Sequence, residues 1–154
     1  MLRYIKMETD KRADLEHSEY QKLEEFRFQI RRFLNFSEAA ARIAGVEAQQ
    51  HQALLALKAL PEGSLPTIGH LAERLLLKHH SAVGLVDRLQ VLGLVTRRPR
   101  SEDARQVLVR LTSKGERLLH RLSLAHRLEL EETGPELAAA LRSISRKAAQ
   151  TQTL

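Results

Sequence analysis

The sequence predicts a mainly α-helical protein with one small β-hairpin. Three observations predict it. Apolar residues recur at helical spacing in successive stretches from Leu23 to Ile144. The period falls from 3.6 to 2 in one region, between Leu94 and Leu111. Gly and Pro clusters punctuate the stretches, as at Pro61–Pro66. The resulting order is helix, helix, short helix, turn, helix, hairpin, helix, helix.

The elements follow in turn. Ser18 and Gln21 can form a capping box that opens the first helix. Leu23, Phe26, Ile30 and Phe33 then form a seam, continued by the small Ser37, Ala40 and Ala44, and Gly45 closes the helix. Phe28, Leu34 and Phe36 lie off that seam. So much apolar circumference fits a helix wrapped by its own fold or, as favoured here, one shared with a second subunit. Glu47–Leu60 has few charges and reads as a central helix buried on most sides. After Thr67, the residues Ile68, Leu71, Ala72 and Leu75 make a short amphipathic helix. A link of Leu76, Leu77, Lys78, His79 and His80 leads to a helix with a buried stripe of Ala82, Val86 and Leu89, ended by Gly93. Leu94–Arg98 and Gln106–Leu111 read as two strands. In the second, Val107, Val109 and Leu111 share one face, and Gln106, Leu108 and Arg110 the other. Thr112 or Ser113 caps the next helix, with a possible Ser113–Glu116 capping box. Leu118, Leu122 and Ala125 line its apolar face until Gly134-Pro135 breaks it. Leu137, Leu141, Ile144 and Ala148 mark a last helix.

Composition narrows the function. Of 154 residues, 25 are Lys or Arg and 19 Asp or Glu, a net charge of +6 that favours a polyanionic partner. Without cysteine there are no disulfides, thiolate ligands or thiol nucleophiles, which fits a cytoplasmic protein. No run is apolar enough to span a bilayer, and the charged stretch 1–17 lacks a signal-peptide core and reads as a mobile arm or partner-docking segment. No nucleophile elbow, phosphate loop or dinucleotide fingerprint occurs, so no enzymatic activity is expected. Adjacent His79 and His80 diverge on a helix, and His120 and His126 do not share a face, so neither a metal site nor a cofactor is expected.

The middle of the order is a helix-turn-helix followed by a hairpin, an arrangement whose physics suits duplex DNA. The second helix of such a pair offers its N-terminal end and one polar face to the major groove. Here that face is Lys78, His79, His80, Ser81, Gly84 and Arg88. Gly84 inside a helix costs about 1 kcal/mol against Ala, which close approach to DNA or close packing on a neighbour would each explain. The hairpin region concentrates Arg97, Arg98, Arg100, Arg105, Arg110 and Lys114. Arginines on its strands can hold phosphates, and one at its tip can enter the minor groove.

Residues 80–115, HSAVGLVDRLQVLGLVTRRPRSEDARQVLVRLTSKG, resemble the recognition helix and wing of MarR-type transcriptional regulators. The matched elements are Asp87-Arg88-Leu89, Gly93-Leu94-Val95, Arg97-Arg98, Asp103-Ala104-Arg105 and Leu111-Thr112-Ser113-Lys114-Gly115, in the family's order. The resemblance implies a winged helix-turn-helix flanked by N- and C-terminal dimerisation helices. In domains, 1–17 is the arm, 18–45 and 113–150 the helical dimerisation region, and 46–112 the DNA-binding lobe. It implies a homodimer interface of Leu23, Phe26, Ile30, Phe33, Leu137, Leu141 and Ile144, with Arg105 as the minor-groove residue and Asp103 shaping the wing through an ion pair. It further implies a small aromatic or phenolic effector, for which Phe36, His51 and Leu55 are the candidate pocket. Two departures stand out. Val83-Gly84 replaces the family's Ser/Thr-Arg, leaving His79 and His80 either to contact bases in its place or to cap the helix. Glu47-Ala48 replaces Thr-Pro at the second helix.

The expected function is therefore a homodimeric, sequence-specific transcriptional regulator, a repressor of near-palindromic operators that an effector can release. The competing class is a winged helix used only to bind protein, which need not keep wing arginines. RNA binding is disfavoured because two Tyr and four Phe, with no Trp, offer no evident stacking platform.

Overall fold

Local rules account for most element ends in the computed structural model, which describes residues 15–100 and 106–145. The elements are α1 (His17–Ile43), α2 (Ala48–Lys58), α3 (Ile68–Arg74), α4 (His79–Val91), β1 (Val95–Pro99), β2 (Val107–Leu111) and α5 (Ser113–Ser145). The arm to residue 14, the hairpin tip 101–105 and the chain from 146, including Ala148, lie outside the described residues.

α1 starts earlier than expected. The Glu16 N–H donates to Glu19 Oε2 (3.1 Å), so the cap lies two residues before Ser18, which is already helical. α2 opens where Glu47 N–H donates to Gln50 Oε1 (2.9 Å). It is one-sided rather than buried on most sides: Gln50, His51, Ala53, Leu54 and Leu57 are covered, whereas Gln52 and Leu55 face solvent. Thr67 caps α3 by accepting from the His70 N–H (3.1 Å). Thr112, not the Ser113–Glu116 box, caps α5: its hydroxyl accepts from the Gly115 N–H (3.1 Å) and donates to Gly93 O (2.7 Å). Glu116 instead pairs with Lys58 (2.9 Å).

Three helices end in the same hydrogen-bond pattern. After α1, Gly45 N–H donates to Arg42 O and Val46 N–H to Ala41 O, both at 3.0 Å. After α4, Gly93 N–H donates to Gln90 O (2.9 Å) and Leu94 N–H to Leu89 O (3.0 Å). After α3, Leu76 N–H donates to Glu73 O (3.2 Å) and Leu77 N–H to Ala72 O (2.8 Å). This motif needs a left-handed residue, and the φ values are +82° at Gly45, +70° at Gly93 and +54° at Leu76. Leu76 thus carries in the helix-turn-helix bend a strain that glycine avoids.

The expected break at Gly134-Pro135 does not occur: α5 continues through it to Ser145. Pro135 removes one N–H from the ladder, but the residue before a proline is disfavoured in a helix partly through its Cβ. Gly134 has none.

The hairpin is antiparallel, pairing Val95 with Leu111, Arg97 with Val109 and Pro99 with Val107. The other edge of β2 is also held, by a bridge from Thr67 to Leu108 and by the Val109 N–H donating to Pro66 O (2.8 Å). Leu108, expected on the outer face with Arg110, is buried while Arg110 is exposed.

The chain divides into two compact units, one of Leu34–Glu131 and one taking the chain up to Phe33 and from Glu132 onward. The Leu34–Glu131 unit is wider than the lobe expected over 46–112. Its core joins Leu54, Leu85 and Val109 to Ala41 of α1 and to Leu118 and Leu122 of α5, so ends of both long helices belong to it. In the other unit Arg32 pairs with Glu136, and Leu15, Lys22, Leu23 and Ile144 line a cleft of about 210 Å³. There Phe26, Ile30, Phe33, Leu137 and Ile144 are half-buried, and Leu23 and Leu141 exposed.

Candidate nucleic-acid interface

α4 is held by one face and open on the other. Ala82, Leu85, Val86 and Leu89 are buried, adding Leu85 to the expected stripe. Lys78, His79, His80 and Arg88 are exposed, and Ser81 and Gly84 half-buried. Lys78 occupies the N-cap position without a side-chain cap bond, and His79 and His80 are the first helical residues rather than caps. The positive end of the helix dipole therefore lies beside cationic and imidazole side chains, a favourable setting for phosphate. A methyl group added at Gly84 would meet only the Arg88 guanidinium, at 3.6 Å. Within this chain, then, no packing neighbour demands glycine, and the helix surface there is left low.

The hairpin cations do not form one cluster. Thr96 and Arg98 share a face with Leu108 and Arg110, and both arginines are exposed. Arg97 lies on the other face, with Val95, and turns to α4. Its guanidinium donates to Asp87 Oδ1 (2.7 Å), Gln90 Oε1 (2.9 Å) and Val83 O (3.3 Å). Arg100 closes the hairpin, pairing by side chain with Gln106 Oε1 (2.9 Å) and by its N–H with Gln106 O (2.8 Å). Lys114 donates to Leu92 O (2.8 Å), the cation that the carbonyl end of α4 favours. Arg105 and Asp103 lie outside the described residues. Sequence reading grouped Arg97 with the DNA-facing arginines; its Asp87 partner was legible only in three dimensions.

Gly115 explains the glycine of the Leu-Thr-x-x-Gly segment. A Cβ there would lie 2.1 Å from Leu94 O, a backbone atom that cannot swing away. Thr112 N–H donates to that same carbonyl (3.0 Å), which locks the start of α5 against the start of the hairpin.

The proposed effector residues separate. His51 is 4% exposed, and neither ring nitrogen has a hydrogen-bond partner. Its ring lies 4.6 Å from that of His126, which meets Phe36 edge-on at 5.3 Å. His126 is held by Leu122 O (2.7 Å) and Ser37 Oγ (2.8 Å). Burial, and then the neighbouring His126, lower the His51 pKa from 6.5 to about 4, so the ring is neutral at pH 7. Phe36 also lines an apolar cleft of about 460 Å³ with Ala40, Ile43, Arg121 and Ala125. Leu55 belongs elsewhere, to a cleft of about 650 Å³ with Gln52, His70 and Arg74. Sequence reading missed His126, whose partners are far apart in the chain. Among the described residues, no group of three or more His, Asp or Glu is placed to hold a metal ion.

Comparison with known proteins agrees with this geometry. Residues 44–106 match the model of the MarR family. A MarR family protein from Bacillus stearothermophilus is 23% identical over 88% of this chain and 99% of its own, with a TM-score of 0.65. The Staphylococcus aureus MepR–DNA complex is 21% identical over 79% of this chain and 96% of that one (TM-score 0.59). Bordetella bronchiseptica BpsR, whose structure is described as a mechanism for regulation of DNA binding by 6-hydroxynicotinic acid, is 19% identical over 82% and 91% (TM-score 0.60). At these identities the likeness is one of fold. No curated protein sequence matches the chain. The family's model thus spans the helix-turn-helix and first wing strand, and most of the chain shares the winged-helix fold of solved MarR family structures.

Proposed function

We propose that this protein is a homodimeric DNA-binding transcriptional regulator, a cytoplasmic repressor acting at near-palindromic operators. One observation carries the reading: the N-terminus of α4 is uncapped by any side chain and exposed, with Lys78, His79, His80 and Arg88 beside it, next to a hairpin bearing exposed Arg98 and Arg110. Lys78, His79, His80, Ser81, Gly84 and Arg88 form the major-groove face. Arg98, Arg100 and Arg105 carry the wing. Two such heads related by a two-fold axis would enter grooves roughly 34 Å apart, which is why the operator should be a near-palindrome. The apolar seams of α1 and α5 supply the dimer contact, through Leu23, Phe26, Ile30, Phe33, Leu137, Leu141 and Ile144.

The reading extends to release by an aromatic or phenolic acid, in the cleft beside Phe36. Its walls are apolar and Arg121 offers one guanidinium to a carboxylate. Such a ligand shifts the population off DNA only by binding the DNA-incompetent dimer more tightly.

Fluorescence anisotropy with labelled genomic duplex tests the central claim. Log affinity should fall linearly with log salt, by about 0.9 for each phosphate neutralised. Absent binding, or binding indifferent to salt, would favour the protein-interaction module.

A further inference from the structure

We infer that Arg97 is a positioning residue rather than a DNA contact: by bridging β1 to Asp87, Gln90 and the Val83 carbonyl of α4, it sets the angle between wing and recognition helix. The inference rests on the DNA-binding reading above and deepens it. Strand geometry starts the argument. Val95 is buried against the core, so two residues on, Arg97 leaves the strand toward α4, and Arg98 leaves away from it. Three acceptors on two turns of α4 then occupy the guanidinium: Asp87 at 2.7 Å, Gln90 at 2.9 Å and Val83 O at 3.3 Å. Its side chain is 25% exposed, against 57% for Asp87.

An isolated surface ion pair contributes little. This one differs because a planar, rigid donor set meets acceptors fixed on a neighbouring element, a geometry that a lysine ammonium cannot reproduce. To reach a phosphate, Arg97 would have to give up a charge-assisted bond at 2.7 Å. The pair also accounts for a carboxylate on the reading helix, where unpaired it would repel the DNA backbone. A winged helix reads with two elements, one per groove, and both can engage only when their relative angle is held.

The test uses the full-length protein and the duplex that wild type enriches from a random-sequence pool, with anisotropy measured across a salt series. Arg97→Ala should weaken binding roughly tenfold at every salt concentration while leaving the salt slope unchanged. Arg98→Ala, removing an outward cation, should lower the slope by about 0.9. Arg97→Lys keeps the charge and should still weaken binding. Asp87→Asn is decisive by sign: a freed arginine and a lost negative charge would tighten binding, whereas a lost brace weakens it. The double variant Asp87→Asn/Arg97→Ala should bind no more weakly than Arg97→Ala alone. A slope that falls with Arg97→Ala, full rescue by lysine, or tighter binding by Asp87→Asn would each overturn the inference. If wild type enriches no duplex, the DNA-binding reading fails, and amide hydrogen exchange then judges the brace. Exchange at Val95–Arg98 and Val107–Arg110 should quicken in both single variants while Leu54 stays protected; unchanged hairpin exchange would overturn it.

Discussion

The two compact units solve burial differently. In Leu34–Glu131 the core is complete: every one of the largest fully buried side chains, Leu54, Leu71, Leu85, Leu89 and Leu94 among them, lies there. In the unit that runs to Phe33 and resumes at Glu132, the buried described residues are Gln29, Thr133 and Ala140, and Leu15, Tyr20, Leu23, Phe28 and Leu141 remain exposed. The first unit holds the whole hydrophobic core cluster. Among its described residues the second has exposed apolar side chains and no buried apolar cluster like that of the first, which is what the proposed dimer contact would cover.

Breaking the unit that holds the core should give the largest effect. Gly115→Ala forces a Cβ to 2.1 Å from the Leu94 carbonyl. The lobe should lose upward of about 4 kcal/mol, read as a lower thermal midpoint or as failure to fold. An unshifted melting curve would show that the start of α5 can move away from the hairpin. Next, at the proposed dimer contact, a double substitution Leu23→Asp/Leu141→Asp should weaken self-association by about 3 kcal/mol, roughly a hundredfold in dissociation constant, seen by sedimentation, with little change in lobe melting. A folded variant that sediments as a dimer would place the interface elsewhere.

His51 sharpens the comparison from within the lobe. Its pKa is 6.5 in an unfolded chain and about 4 in the fold, so the unfolded state takes up the proton first as pH falls. The stability is fully present above 6.5 and is lost progressively toward pH 4, in total roughly 3 kcal/mol. Denaturant melts from pH 7 to pH 4 should show this loss, and His51→Leu should flatten it. The smallest effect belongs to the bend of the helix-turn-helix. Leu76 is 83% exposed, so replacing it removes almost no buried surface. Leu76→Gly should stabilise the lobe by about 1 kcal/mol, and Gly93→Ala destabilise it by a similar amount. Equal and opposite shifts in chemical melts would confirm that both residues serve the same helix ending.

Much of this was written in short-range pattern. The helices, the hairpin, and the glycines after α1 and α4 follow from periodicity and backbone sterics that act over a few residues, and these stand, although Leu23 and Leu141 of the expected stripes are exposed. The misreadings were local too. Ser18 and Ser113 each sat near a helix start that a neighbour capped better, and Gly134-Pro135 is punctuation in most contexts but not in a helix whose flanks continue to pack. Leu108 looked outward because alternation assumes one covered face, yet it is buried on the face it shares with exposed Arg110. The candidate interface was legible as a set of cations but not as an arrangement. Composition counts Arg97 and Arg98 alike, although one is spent on α4 and the other faces solvent.

By itself the sequence determined which segments are helical, the turns after α1 and α4, and that a basic hairpin follows a helix-turn-helix, because those properties depend on neighbours within a turn or two. Only the tertiary structure decided that Arg97 meets Asp87, that His51 meets His126, and that Gly115 must admit the Leu94 carbonyl. Each of those contacts joins residues from different elements, and their distance is set by how the core packs, a quantity no local pattern encodes.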